Sequence, residues 1–387
     1  MDIYFDNSAT TPICEAALAR YCEVSRLAFG NPSSLHARGK EAEDILKAAR
    51  RTVCEAIGAR GGSVIFTASG TEANNLALFG RAHAKARYRR GRILVSAGEH
   101  ASVKEPLRAL ADEGYTVEEI PTRGGTLDMD ALAALLTPDT FLVSVMAVNN
   151  ESGAAYDLAP LAALLRTRCP DCALHVDATQ AFMKIPLDVR TLGIRMLTLS
   201  SHKIEGPKGV GALWIDDTLK KEKGVAPQIL GGGQEDGMRS GTENVPGIAA
   251  FAAAVQYGKE NFAEFAESTR ALRAYLLDRL QSDPAFAEVR AITPPVCAPH
   301  ILTLILPAIK SEVMLHHLSG DGISVSSGSA CSSHGHTGTT ALSAYGYSEK
   351  ETDSAIRISL SHRNTREEVE IFLASFAAGL ARLARKR

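Results

Sequence analysis

The sequence predicts an α/β fold with a large, mostly parallel sheet and a smaller α+β unit behind it. Three observations carry this. Short apolar runs alternate with helical stretches across residues 63–215, the pattern of buried parallel strands with helical crossovers. Polar clusters sit where those runs end, and ligands of such sheets bind beyond the carboxyl ends of the strands. The chain has 387 residues, enough for one large domain and a second, smaller one.

The elements follow in order. An extended start leads to Asn7-Ser8-Ala9-Thr10-Thr11-Pro12. A helix is expected from Ile13, with Thr11 as its cap and Pro12 in its first turn. Ser34 is expected to cap a long helix ending before Gly58. Strands are expected at 63–67, 93–96, 116–120, 141–145, 173–176, 196–199 and 210–215. Helices are expected at 71–89, 103–111 and 158–168, with a short one near Asp188. A long helix over 245–280 leads to the second unit. There, strands are expected at 301–306, 323–326 and 356–360, and helices at 312–318 and 366–383.

Composition bounds the class. Hydrophobic residues make up 45% and charged residues 22%, a soluble globular balance, and the net charge is −2. Neither nucleic acid nor an anionic membrane is called for. No basic start precedes an apolar run, and no apolar stretch of about 20 residues occurs, so neither signal peptide nor membrane helix is expected. Seven scattered cysteines are an odd number. They suit reduced thiols and a cytoplasmic chain.

The chemistry centres on Ser200-Ser201-His202-Lys203, at the end of a buried strand and before Gly206-Pro207-Lys208-Gly209. A desolvated lysine there can serve as a nucleophile toward a carbonyl cofactor, and pyridoxal 5'-phosphate is the usual one. A solvated loop lysine is the plain alternative. Ser69-Gly70-Thr71, between a strand and a helix, suits a phosphate or an ordinary helix cap. Asp177 ends a strand and needs a cationic partner if buried, such as a pyridinium nitrogen, unless it only caps the following turn. Glu99-His100 and Asn149-Asn150-Glu151 complete the clusters. Arg357 lies in an apolar strand, where a guanidinium suggests a carboxylate anchor. Cys331 sits in a small, polar, Gly-rich stretch that reads as an exposed loop, so it is either a reactive thiol or a surface cysteine. His334 and His336 stand beside it and could lower its pKa or join it on a metal. Cys169-Pro170-Asp171-Cys172 has no second cysteine pair, so a helix-end turn is expected there and no zinc.

These residues resemble the cysteine desulfurases of the NifS/IscS type, in the class V aminotransferase group of fold-type I pyridoxal-phosphate enzymes. The resemblance runs from Tyr4–Pro12, through Gly30-Asn31-Pro32-Ser33-Ser34 with His36, Asn149-Asn150-Glu151-Ser152-Gly153, His175–Gln180, Ser201-His202-Lys203 and Gly231–Thr242, to Ser326-Ser327-Gly328-Ser329-Ala330-Cys331. The last motif is the most specific. The resemblance implies a large domain over 13–258 and a small one over 1–12 plus 259–387, which carries Cys331. It implies that Lys203 holds the cofactor covalently, Asp177 pairs with its ring nitrogen, Gln180 bonds its phenolic oxygen and His100 stacks on the ring and handles protons. Gly70, Thr71, Ser200 and His202 would hold the phosphate. Thr242 would reach the neighbouring subunit's phosphate site, which implies a homodimer. Asn149 and Arg357 would grip the carboxylate of L-cysteine. Cys331 would take the sulfur as a persulfide and pass it to an acceptor protein, such as an iron–sulfur scaffold, leaving alanine. No metal is expected.

A selenocysteine lyase or another class V enzyme is the alternative within the group, and a non-catalytic metal-binding scaffold the alternative outside it. Three departures stand out. His336-Thr337-Gly338-Thr339-Thr340 replaces the family's usual Leu-Glu-Pro-Ser stretch. Glu205 stands where an aromatic or histidine is expected, and its carboxylate could alter Lys203. Ser69 replaces a common glycine.

Overall fold

The computed structural model describes residues 2–327 and 340–383. The chain enters through β1 (Ile3–Tyr4), α1 (Glu15–Leu27) and α2 (Ala37–Ala56). Strand and helix then alternate: β2 (Ser63–Thr67), α3 (Gly70–His83), β3 (Arg92–Ser96), α4 (Ala101–Asp112), β4 (Thr116–Ile120), α5 (Met129–Leu135), β5 (Thr140–Met146), α6 (Leu158–Arg168) and β6 (Ala173–Asp177). Next come β7 (Met196–Ser200), β8 (Gly211–Ile215) and α7 (Asp217–Lys221). The seven strands from β2 to β8 form one sheet in the order β2-β8-β7-β6-β5-β3-β4. β7, β6, β5, β3 and β4 pair in parallel, and β8 alone runs antiparallel to both its neighbours. Strands β5 to β8 are buried throughout, so their apolar runs need no polar face. Edge strand β4 differs: Glu118 and Glu119 keep its rim from pairing with another chain.

The second unit follows α8 (Val245–Glu260) and α9 (Phe262–Ser282). It holds β9 (Arg290–Ile292), β10 (Ile301–Ile305), α10 (Ser311–Gly320), β11 (Ile323–Ser324), β12 (Ser326–Ser327), α11 (Ala341–Ala344), α12 (Glu349–Asp353), β13 (Ala355–Ser359) and α13 (Arg366–Leu383). Four strands pair in the order β12-β13-β10-β9. β1 pairs in parallel with β11. Ile3 and Phe5 therefore join the apolar cluster of α13, with Phe5 edge-on to Phe372. The first residues of the chain belong to the same core as the last helix.

Several expectations are corrected. The long helix is two, broken at Asn261. The helix after β2 ends at His83, six residues early. Near Asp188 there is a turn, not a helix; the Asp188 carboxylate accepts from the backbone N–H groups of Arg190 and Thr191. His36, not Ser34, caps α2, its Nδ1 accepting from Gly39 N. Thr11 does not cap α1, which starts at Glu15. Its hydroxyl instead donates to His202 O (2.9 Å) and accepts from Glu205 N (2.8 Å). A capping residue in sequence is a tether in space, tying the N-terminal segment to the Lys203 loop. Cys169 ends α6 and turns to Cys172, as the spacing suggested.

Thr11→Val keeps the shape and removes both bonds. We expect it to cost about 1–3 kcal/mol of stability, read as a lower urea midpoint with the slope unchanged.

Candidate active site

β2, β3, β5, β6 and β7 all end on one side of the sheet. A cavity of about 310 Å³ opens there. Lys203, Asp177, Gln180, His100, Gly70, Thr71, Ser200, His202 and Arg357 all line it. Residues up to 287 positions apart (357 − 70) meet in one site.

Lys203 lies in a single turn after β7. Its Nζ donates to Ser8 O (2.6 Å) and Ala9 O (2.7 Å). Gln180 Nε2 donates to the same Ser8 O at 2.9 Å. Asp177 is buried at the end of β6. One of its oxygens accepts from Thr179 N and the other from Asn74 Nδ2, both at 2.9 Å. Asn74 Nδ2 also donates to Ser102 Oγ (2.9 Å), which lies 2.8 Å from His100 Nδ1. Asp177 and His100 are thus joined through Asn74 and Ser102.

His100 caps α4, its Nδ1 accepting from Ser102 N. That fixes the neutral tautomer with its proton on Nε2. Burial lowers its pKa; Asp177 pulls it up, while Lys203 and Arg357 push it down. His202 is lowered to about 4, by burial first and then by Lys203 and Lys208. Both rings are neutral near pH 7.

One end of the cavity lies at the start of α3. Ser69 caps that helix through Glu72 N, leaving the first-turn N–H groups beside Gly70, Thr71 and Ser200. A Cβ on Gly70 would sit 3.3 Å from Ser200 Cβ and Thr179 Oγ1. One on Gly211, where β8 passes this turn, would lie 2.4 Å from Ser69 C. Glycine at both positions keeps the cradle open. A positive helix start, a carboxylate 26 residues before the lysine (203 − 177) and a lysine between them suit a phosphorylated pyridine aldehyde.

Arg357, buried in β13, donates to Asp6 Oδ1 and Asn150 O, each at 2.9 Å. Its Nε is buried with no partner among the described residues, so the guanidinium is oriented but not fully used.

Two expected residues do not line the cavity, and a third is outside the described residues. Asn149 is fully buried and does not line the cavity. Its amide donates to Gly98 O, and its oxygen accepts from Glu151 N, Ser152 N and Ser152 Oγ. Asn150 lines the cavity in its place. Thr242 is exposed and away from this cavity. Cys331, with His334 and His336, lies outside the described residues. Among the described residues no group of side chains could hold a metal ion, and no helix is long and apolar enough to cross a membrane.

The sequence reading missed Asn74, Ser102 and Asp6, and it named Asn150 only within the 149–151 cluster, giving the substrate contact to Asn149. Asn74 was findable: four residues after Gly70 on a helix, it shares that glycine's face. Glu205 turns away from Lys203. It stands at φ +64° and pairs with Arg363, whose Nε is 3.1 Å from Glu205 Oε2.

The class V aminotransferase family model matches residues 3–372. Cysteine desulfurase IscS 1 of Archaeoglobus fulgidus is 37% identical over 98% of this chain and 97% of its own length. A solved NifS-like protein superposes with a TM-score of 0.91 at 34% identity, covering 98% of this chain and all of that one. SspA, solved in complex with cysteine, gives 0.81 at 28% identity over 94% of this chain and all of its own. The chain belongs to the class V aminotransferases, and within them to the cysteine desulfurases of the NifS/IscS type. That family implies pyridoxal phosphate.

Beneath the cavity, Glu99 is buried between Ser96 Oγ and Met146 N. Burial raises it to about 8. A carboxyl raised on folding destabilises the folded state as pH climbs from its unfolded value near 4.5 to about 8. Glu99→Gln mimics the protonated form. We expect its stability relative to wild type to improve by ~1–3 kcal/mol between pH 5 and pH 8, measured as paired urea midpoints.

Proposed function

We propose that this enzyme removes sulfur from L-cysteine, leaving alanine, and passes the sulfur through Cys331 to an acceptor thiol. The observation that carries the reading is the convergence of Lys203, Asp177 and Arg357 on one cavity in a chain of this family. When bound, pyridoxal phosphate supplies an electron sink that acidifies the substrate's Cα and makes its sulfur electrophilic.

The chain's own groups do the rest. Lys203 Nζ is the covalent anchor, directed by the carbonyls of Ser8 and Ala9. Asp177 keeps a pyridinium proton in place, and Asn74 and Thr179 N fix that carboxylate. Gln180, whose amide is held by Ser8 O, would bond the cofactor's phenolic oxygen. Gly70, Thr71, Ser200 and His202 cradle the phosphate, with Thr242 contributing from the second subunit of a homodimer. Arg357 takes the substrate carboxylate, with Asp6 holding the fork and Asn150 beside it; Asn149 acts behind them by shaping the 149–152 turn. His100 would lie against the cofactor and exchange a proton at Nε2.

Cys331 thiolate then attacks the substrate sulfur. An S–S bond forms as the C–S bond breaks, and the bonding pair stays on the substrate carbon, which takes up protons and leaves as alanine. In balance, L-cysteine and one thiol give alanine and one persulfide. The acceptor is a protein thiol, with iron–sulfur assembly the typical destination in this family. A cytoplasmic setting suits the free thiols among the described residues.

The test is sulfide and alanine release from L-cysteine with a reductant, on wild type beside Cys331→Ala. We expect equal amounts of both products from wild type and at least a ~100-fold loss in the variant, with bound cofactor unchanged. Undiminished release from Cys331→Ala would overturn the role of that thiol and favour the lyase reading. Lys203→Ala should lose the near-visible band of lysine-bound cofactor; an unchanged spectrum would overturn the anchor.

A further inference from the structure

A second cavity, of about 50 Å³, lies where the two units meet. Lys184 and Glu205 reach it from loops of the large sheet, Tyr257 and Phe265 from α8 and α9, and His300 and His362 from loops at the ends of β10 and β13. None of these side chains lines the active-site cavity.

Its polar groups do not balance. His300 is 1% exposed, and neither ring nitrogen has a hydrogen-bond partner among the described residues. Buried polar atoms are rarely left in this state. Lys184, half-buried, makes no hydrogen bond or ion pair to any described residue, and desolvation lowers the amine to about 8, with Glu205 pulling it back. Glu205 is already taken: Arg363 pairs with one oxygen, and His362 Nδ1 lies 3.5 Å from the other. His362 is stacked flat on Phe265 at 3.5 Å, which closes that side. Counting charges, Arg363 offsets Glu205, and Lys184 is left over beside an orphaned imidazole.

A small anion supplies what is missing. It would accept from Lys184 Nζ and from a ring N–H of His300, and would neutralise the surplus charge. Water could satisfy the imidazole but would leave that charge in place. The volume admits roughly four waters, or one anion of three to five heavy atoms. We propose that this cavity is a binding site for one small carboxylate or inorganic oxyanion, held between Lys184 and His300 at the junction of the two units. The anion would bridge them, since its contacts come from both. Arg357 also bears on His300 electrostatically. The inference is independent of which reaction the enzyme performs.

The test is thermal unfolding of the holoenzyme at pH 7, titrated separately with sodium acetate and sodium phosphate. Ionic strength is held with a sulfonate salt too large for the cavity. We expect a saturating rise in midpoint of ~2 °C or more, lost in Lys184→Met. The salt that saturates at the lower concentration identifies a carboxylate or an inorganic oxyanion as the ligand. A response that never saturates, or that persists in Lys184→Met, would overturn the site. Should that variant not fold, wild-type crystals soaked in bromide decide: an anomalous peak between Lys184 Nζ and His300 supports the proposal, and a cavity holding only water refutes it.

Discussion

The structure depends on where the segment from Asp6 to Thr11 lies. It has no secondary structure of its own beyond an isolated bridge from Asp6 to Ser359, yet it is bonded to both units. Ser8 O and Ala9 O receive the Lys203 ammonium, and Ser8 O receives Gln180 as well. Thr11 closes onto the loop on either side of Lys203. On the other side, Asn7 Nδ2 donates to Ser359 O and Asp6 pairs with Arg357. A segment with no ladder to satisfy its carbonyls must find donors elsewhere, and here they are side chains that line the cavity. Lys203, Gln180 and Arg357 are all oriented by six consecutive residues.

The charge pattern around the cavity follows from burial. His100, His202 and His175 are all lowered by desolvation first. Glu99 and Glu151 are raised for the same reason, to about 8 and about 7. Both kinds of group are thereby pushed toward neutrality, leaving Asp177, Lys203 and Arg357 as the charges that matter. Near neutral pH His100 is therefore a neutral imidazole with few ionised neighbours. Glu151 also accepts from Leu342 N at the start of α11. The strand-end cluster at 149–151 is thus joined to the element that follows the Cys331 stretch.

The sheet was legible because each buried parallel strand is a short apolar run ending in polar residues, and all seven were found. The clusters after those runs then had to share one edge, so most of the site could be read as well. What failed was local. Thr11 and Ser34 look like caps because hydroxyls before helical patterns usually are, but tertiary partners claimed Thr11. The break at Asn261 is preceded only by Gly258, and a lone glycine inside a helical pattern is a weak signal. Asn149 and Asn150 show the limit most clearly. Neighbouring residues point to opposite sides, and nothing in Asn-Asn-Glu says which amide faces the cavity until the turn is built. Asp6 lies 351 positions from Arg357 (357 − 6), a pairing that no local signal encodes.

Glu205 carries the same lesson to a consequence. Two residues from Lys203, it reads as a carboxylate able to perturb the nucleophile. Its backbone, however, is left-handed, at φ +64°. For a residue with a Cβ this conformation costs roughly 1–2 kcal/mol, and it persists because the surroundings over-determine it. Thr11 takes its N–H, Cys14 N takes its carbonyl, and Arg363 takes its carboxylate. The turn reverses the side chain out of the active site and into the junction of the two units. The departure from the family pattern at this position therefore acts on how the units are held together, while Lys203 Nζ is held by the carbonyls of Ser8 and Ala9.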